Sequence, residues 1–404
     1  MAERENKSRA FLAGLISDHG VRSAIFSFAV TRLLILIVVV FAANIRFDPP
    51  AHDQFGEIHE TTISLASRNV SEVLVQVTSG ADSLWILNIA RNGYEKIPFE
   101  NSTQHTWAYF PLYPLLLGFT SKLTGNLPLT GIVLSSLFFL FALIVLHRTV
   151  RSFGFEDQVA DRTVFYIAAF PVSYFFSLAQ TEALFLLLTV SCFCTARRGK
   201  WWLAGVCGGL ASATRFAGVF LVIPMMLLYW QNQRVNGRLK VRWDICSLLL
   251  VPVGLFGFMI YLRSITGNAF AFSDVQVAWG HDLGGFWRPL FTYLSSPALV
   301  SVRWDFRLLN FAAAITALIT GVILLRWKAL AFSLYTFVSI LVPLCYQATL
   351  QSIARYVLVI FPVFIVLAVA GRSARVDQVI RVVFVALLTL MSALLAVRVT
   401  LALA

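Results

Sequence analysis

The sequence predicts an all-α, polytopic transmembrane bundle, and three observations predict it. Across 404 residues, 58% of side chains are hydrophobic and only 13% charged, at a mean hydropathy of +0.78, which is too apolar for a soluble globule. Apolar runs approaching the ~20 residues that cross a bilayer recur along nearly the whole chain. Basic residues then gather in short segments between alternate runs, as the retention of Lys and Arg on the cytoplasmic side requires.

The runs lie near 24–44, 127–147, 163–179, 181–196, 201–215, 217–230, 245–262, 308–326, 329–346, 354–371 and 382–401, about eleven spans, several of them short. The polar, mixed-charge stretch Met1 to Gly20 has no small-residue cleavage site before the first run, so that run is expected to be a retained span. The stretch from Trp201 to Trp230 has Arg197, Arg198 and Lys200 before it and Arg234, Arg238, Lys240 and Arg242 after it. An even number of crossings must separate two basic flanks on one side, so two short helices turning near Arg215 are expected.

The same rule puts the N-terminus, 148–162, 197–200, 231–244, 326–328 and 372–381 in the cytoplasm. Two exported loops follow, 45–126 and 263–307, with short turns near Gln180, Arg215 and Gln347 on the same side. From Asn44 to Thr106 the first loop carries four Lys or Arg against eight Asp or Glu, as an exported loop may bear. One transmembrane domain, 1–404, is therefore expected. The net charge of +12 is assigned to cytoplasmic flanks meeting anionic lipid, and a nucleic-acid partner is not expected.

Cys192, Cys194, Cys207, Cys246 and Cys345 fall inside or at the ends of spans and read as small apolar residues rather than as a disulfide or metal framework. His52, His59 and His105 have no ligand spacing, and no metal or cofactor is expected. Asn69-Val70-Ser71 and Asn101-Ser102-Thr103 fit the glycosylation triplet, which matters only in a eukaryotic lumen.

Ionisable groups at a membrane edge are costly unless paired or wet, so each is a functional candidate. On the exported side these are Asp82, Glu182, Arg215, Arg355 and Arg288. Asp82 opens a helix that ends at Gly93, with Trp85 and Ile89 on its face. Its carboxylate is either an N-cap for free backbone amides or a catalytic acid or base. Glu182 begins a span, where a first-turn acid complements the helix dipole or serves a site. Arg215, at an outward turn between short helices, either snorkels to lipid headgroups or grips a phosphate with its fork. Arg355 is a second phosphate contact or an interfacial anchor. Gln276, Trp279, His281 and Arg288 form an aromatic and polar set suited to a sugar platform or to an interfacial belt.

Taken together, these segments resemble the PIG-V-like mannosyltransferases, the family of GPI mannosyltransferase 2 and its bacterial relatives. The resemblance is carried by Asp82-x-x-Trp85, Ile89-Ala90, Gly93-Tyr94, Phe110-Pro111-Leu112-Tyr113-Pro114 and Phe170-Pro171. It continues through Thr181-Glu182-Ala183-Leu184-Phe185, Thr214-Arg215 with Gly218, Gln276 with Trp279, and Arg355-Tyr356 with Phe361-Pro362, spanning about residues 25–370. Ala81 stands where the family often has tryptophan, and Gln180 where tyrosine commonly precedes Thr-Glu.

This resemblance implies a GT-C fold with an active site on the exoplasmic face and a polyprenyl-phosphate sugar as donor. The acceptor is a lipid-linked molecule or glycan. By the same resemblance Asp82 is the catalytic base, and the chain length favours a bacterial member of the plasma membrane with a periplasmic or extracellular site. The expected chemistry is a metal-independent, inverting transfer, because Arg215 and Arg355 can neutralise a single phosphate and no second acid is seen beside Asp82. Trp85, Tyr94, Tyr109, Tyr113, Glu182, Gln276, Trp279 and Tyr356 are the expected substrate contacts. The alternative is a transporter or flippase for a lipid-linked or anionic solute, since polar residues between short helices also mark transport sites.

Overall fold

The computed structural model describes residues 18–48, 62–80, 82–235, 238–239, 241–300 and 306–401. A helix lies in each of the eleven apolar runs. The chain begins with α1 (His19–Asn44), capped by Asp18, whose carboxylate accepts from the Gly20 amide at 2.9 Å. A hairpin follows, β1 (Ile45–Asp48) against β2 (Thr62–Leu65), with Ile45 opposite Leu65. Next come α2 (Val70–Thr78), closed by an Asn69–Glu72 capping box, and α3 (Asp82–Asn92). The α3 helix ends where the Gly93 amide bonds to the Ile89 carbonyl at 2.8 Å, with Gly93 at φ 78°. A residue with a Cβ is strained in that left-handed turn.

The bundle continues with α4 (Leu112–Thr124), α5 (Leu127–Ser152) and α6 (Asp157–Ala169). After a 3₁₀ turn over Ser173–Ser177 come α7 (Glu182–Arg197), α8 (Trp201–Ser212) and α9 (Val222–Asn232). The α8 and α9 helices are joined through an outward turn at Arg215, as the basic flanks demand. A short pairing of β3 (Arg234–Val235) with β4 (Arg238–Leu239) precedes α10 (Val253–Thr266), α11 (Ala271–Asp274) and α12 (Arg288–Ser295). The last helices are α13 (Arg307–Arg326), α14 (Leu330–Tyr346), α15 (Ile353–Leu358), α16 (Phe361–Ala370) and α17 (Ala374–Leu401).

Among the described residues, four helices are long and apolar enough to cross a membrane, α1, α5, α13 and α17 to Val397, or up to six if two bent pairs each count as one span. This is an integral membrane protein. The remaining apolar runs are short or broken, and the breaks have identifiable partners. Helix α6 stops beside the middle of α1, about 20 Å from its start at 1.5 Å per residue. There Arg32 donates to the Ala168 and Ser173 carbonyls and to the Ser173 and Ser177 hydroxyls at 2.8–3.0 Å, with its guanidinium over Phe139. One intramembrane arginine thus satisfies the backbone that the break after Ala169 exposes.

Close helix approach uses glycine. A Cβ on Gly205 of α8 would lie 2.1 Å from the Ser247 carbonyl, so only the smallest residue admits the 243–250 segment. The main core runs through α1 and α5 to α8, and on to α14 to α17. A second core of Ile89, Tyr94, Trp107, Phe110, Phe258 and Phe272 clamps the segment after α2 onto α10 and α11.

Contacts also sort the basic segments to one end. Asp18 pairs with Arg148 at 3.2 Å, Glu156 with Arg372 at 3.2 Å, and Arg197 donates to the Ser152 carbonyl at 3.1 Å. Asn232 donates to the Ala196 carbonyl at 3.1 Å.

Two predictions follow from this architecture. Arg32→Met leaves the buried Ser173 carbonyl without its donor, and unsatisfied buried groups cost about 1–3 kcal/mol each; the melting temperature in detergent is expected to fall measurably, and parental melting would refute the role. Cysteines introduced at Ser67 and Lys200, both exposed, are expected to react oppositely with an impermeant thiol reagent in intact cells. Equal labelling would contradict the expected sidedness.

Candidate active site

Four charged side chains from four separate segments meet at the end of the bundle opposite the basic loops. Glu182, at the first turn of α7, is completely buried, and its Oε1 is shared between two arginines. Arg215 donates to it at 3.0 Å, and the Arg355 Nε pairs with the same oxygen. The other side of the Arg355 fork, Nη1, pairs with Asp82 Oδ2. Asp82 Oδ1 accepts from the Tyr109 hydroxyl at 3.3 Å. The order is therefore Asp82, Arg355, Glu182, Arg215, two negative and two positive charges in one chain of contacts.

Both carboxylate oxygens of Asp82 are engaged by side chains, Oδ2 by Arg355 and Oδ1 by Tyr109. Burial raises its pKa, but the facing Arg355 charge and hydrogen bond outweigh this and hold it below the usual carboxylate range. Asp82 stays ionised and able to accept a proton. Its side chain is the most open of the four at 38% exposed, against 14% for Arg355 and 15% for Arg215.

Each member is positioned by its neighbours. Gln180, buried, donates to the Ser83 hydroxyl at 3.1 Å, and its carbonyl faces Ser135 at 3.5 Å, fixing the start of α3 against the break before Glu182. Arg355 enters on α15, which starts after Ser352 at φ 61°, a left-handed conformation costly for a non-glycine residue. Asn310 on α13 accepts from the Ala354 amide at 2.9 Å. The Arg355 guanidinium lies over Phe175 at 4.8 Å, and that of Arg215 over Tyr356 at 5.4 Å.

An aromatic cluster stands beside Asp82. Trp85 stacks on Tyr109 at 6.2 Å, and Trp279 meets both rings edge-on at 5.9 and 6.3 Å. Gln276 Oε1 sits 2.9 Å from His281 Nδ1. Burial lowers the His281 pKa, while the charges of Asp82 and Asp282 work in the opposite sense.

The structure therefore brings together Asp82, Trp85, Tyr109, Glu182, Arg215, Gln276, Trp279, Arg355 and Tyr356. Two expected substrate contacts lie behind this surface instead. Tyr94 is buried in the second core and donates to the Tyr109 carbonyl at 2.7 Å. Tyr113 is fully buried, with its hydroxyl 2.6 Å from Ser135 Oγ. Both rings face protein because the loop needs them as packing. Arg288, also expected at the membrane edge, pairs with exposed Asp282 at 2.6 Å and not with the four clustered charges. The expectation that no second acid accompanies Asp82 is corrected by Glu182, which reaches it through Arg355. Sequence spacing missed Gln180 and the role of Arg32, because their partners lie 97 and more than 130 positions away.

The family profile described as Mannosyltransferase (PIG-V) matches residues 22–262, more than half of the chain. The chain belongs to the PIG-V mannosyltransferase family. It is 28% identical over 289 residues to GPI alpha-1,6-mannosyltransferase 2 of Cricetulus griseus, covering 64% of this chain and 56% of that protein. With the Homo sapiens protein of the same name it shares 29% over 212 residues, 48% of this chain and 40% of that one. The matches thus span about half the length of these relatives. Of the PIG-V match, Asp82, Glu182 and Arg215 lie inside, while Gln276, Trp279 and Arg355 lie beyond. ArnT from Cupriavidus metallidurans bound to undecaprenyl phosphate aligns over 93% of this chain and 75% of its own, at 12% identity and a TM-score of 0.49.

Glu182→Gln keeps the shape but removes the charge that both arginines share. Breaking a buried ion pair costs about 3–5 kcal/mol, somewhat less where the partners are partly exposed. A clear drop in the detergent melting temperature is expected, and an unchanged one would mean that Glu182 does not hold the arginines.

Proposed function

We propose that this protein is a membrane mannosyltransferase of GT-C type that moves a sugar from a polyprenyl-phosphate donor to a lipid-linked or glycan acceptor. The site faces the non-cytoplasmic side, and in a bacterial host that is the periplasmic or extracellular face of the plasma membrane. Family membership supports the reaction class. The observation that carries the mechanism is the Arg355 guanidinium bridging Asp82 and Glu182, with Arg215 on the same glutamate.

A donor phosphate entering this cluster competes for the arginines. Arginine forks match phosphate oxygens well, so Arg215 and Arg355 turn toward the phosphate while Glu182 continues to orient them. Losing its contact with Arg355 makes Asp82 a better base, since the positive charge that lowers its pKa is diverted. Asp82 then accepts the proton from the acceptor hydroxyl as that oxygen attacks the anomeric carbon. The bond from that carbon to the phosphate oxygen breaks, and the electron pair leaves on the phosphate, where the two arginines stabilise it.

Attack and departure on opposite sides give inversion. Charge neutralisation by arginine keeps the reading metal-independent. Trp85, Tyr109 and Trp279 offer ring faces and edges to the sugar, with Gln276 available for a hydroxyl. The whole of 1–404 serves as one transferase domain in this reading, with the described parts of 45–126 and 263–307 supplying the exposed walls.

The test is transfer from a radiolabelled polyprenyl-phosphate-mannose by purified parent and variants. Asp82→Asn is expected to lower turnover about 100-fold to 10,000-fold, the range for a lost general base, with melting confirming the fold. Near-parental turnover in a folded variant would remove Asp82 from the mechanism. Arg215→Lys keeps the charge but loses the fork, so a raised KM for donor is expected, and an unchanged KM would remove Arg215 from the phosphate site.

A further inference from the structure

We propose a metal site that the transfer reaction does not use: His19, His147 and Asp161 bind one divalent transition-metal ion, of the zinc class, at the bundle end opposite Asp82. Their sequence positions gave no ligand spacing, because the three come from the first turn of α1, the last part of α5 and the second turn of α6. In the structure one donor atom from each lies within 4.8 Å of the others. Asp161 Oδ2 is 2.9 Å from His19 Nε2, and Oδ1 is 3.2 Å from His147 Nε2.

These separations are close to what a tetrahedral centre needs. Zinc bonds to imidazole nitrogen and carboxylate oxygen of about 2.0–2.1 Å place neighbouring ligand atoms about 3.3 Å apart. The remaining gap closes by rotation of His19, whose side chain is 58% exposed. His147, by contrast, is fixed. It is buried, and a Cβ on Gly20 would fall 2.4 Å from its Nδ1, so glycine at that position admits the ring.

The surroundings permit a cation and an exogenous fourth ligand. His19 and His147 line an open cavity of about 410 Å³ that water can enter. Of the arginines at its rim, Arg148 pairs with Asp18 at 3.2 Å and Arg151 with Asp157 at 2.7 Å, which offsets their repulsion. Two imidazoles with one carboxylate favour zinc and its neighbours over magnesium or calcium, which prefer oxygen. A metal here staples the start of the first span to the α5–α6 connection, joining elements that are otherwise distant in sequence. Binding exchanges the two imidazole-to-carboxylate hydrogen bonds for metal bonds; each coordinating Nε2 gives up any proton it carries, to Nδ1 of the same ring from a neutral imidazole and to solvent from an imidazolium.

The experiment uses tag-free, full-length protein in detergent, stripped with chelator and given zinc alone. Mass spectrometry of bound metal is expected to find one zinc per chain in the parent, with a melting temperature that rises with zinc. His19→Gln, at an exposed position, is expected to fold, to lose at least about 100-fold in zinc affinity, more than outer-shell changes cause, and to keep its sugar transfer. His19→Cys restores a ligand and should recover binding. A parent that holds no stoichiometric zinc and melts unchanged with it, or a His19→Gln protein that binds as tightly as the parent, overturns the site and leaves the cluster as a hydrogen-bonded network.

Discussion

The charged cluster at one end of this bundle depends on one guanidinium. Arg355 is pressed between Asp82 and Glu182, and without it Asp82 would lose its ion pair and buried Glu182 one of its two arginines. Burying charge is unfavourable unless partners are supplied with good geometry. The fold supplies them by ending short helices at one level: α7 begins at Glu182, the turn after α8 presents Arg215, and α15 delivers Arg355 from a strained Ser352. Short and broken helices are thus the means by which charged groups reach one another.

The same principle explains the interior. Helix α6 ends within the bundle because Arg32 can satisfy the carbonyls that its termination frees. A chain of uninterrupted spans would need no such residue, but it would also have no inward-facing ends on which to mount a site. Arg32 and Arg355 therefore do complementary jobs: one secures a break in the scaffold, the other uses such breaks to gather a cluster of charges. The second core, built on Trp107, Phe110, Phe258 and Phe272, then brings the two loop segments together so that Trp279 meets Trp85 and Tyr109.

The arrangement also has a functional logic in its balance of charge. Two acids and two arginines are neutral together, so each charge in the cluster is met by its opposite. An incoming phosphate disturbs that balance and, in the mechanism proposed above, frees the base only when donor is present.

Much of this was fixed by composition and spacing alone. Apolar runs separated by basic flanks determine a helical membrane bundle, since backbone groups in lipid must bond within their own helix. The left-handed end at Gly93 and the paired helices around Arg215 were legible for similarly local reasons. So were Asp82, Glu182, Arg215 and Arg355 as candidates, because a charged residue at a membrane edge is conspicuous wherever it occurs. Only tertiary structure decided what each does with its charge. Asp82 and Arg355 are 273 positions apart, and no periodicity links them. Tyr94 and Tyr113 look like Tyr109 in the sequence, yet packing turns their hydroxyls toward protein and leaves that of Tyr109 on Asp82. Local pattern reports which residues are costly to bury; which partners meet that cost is a matter of long-range contact.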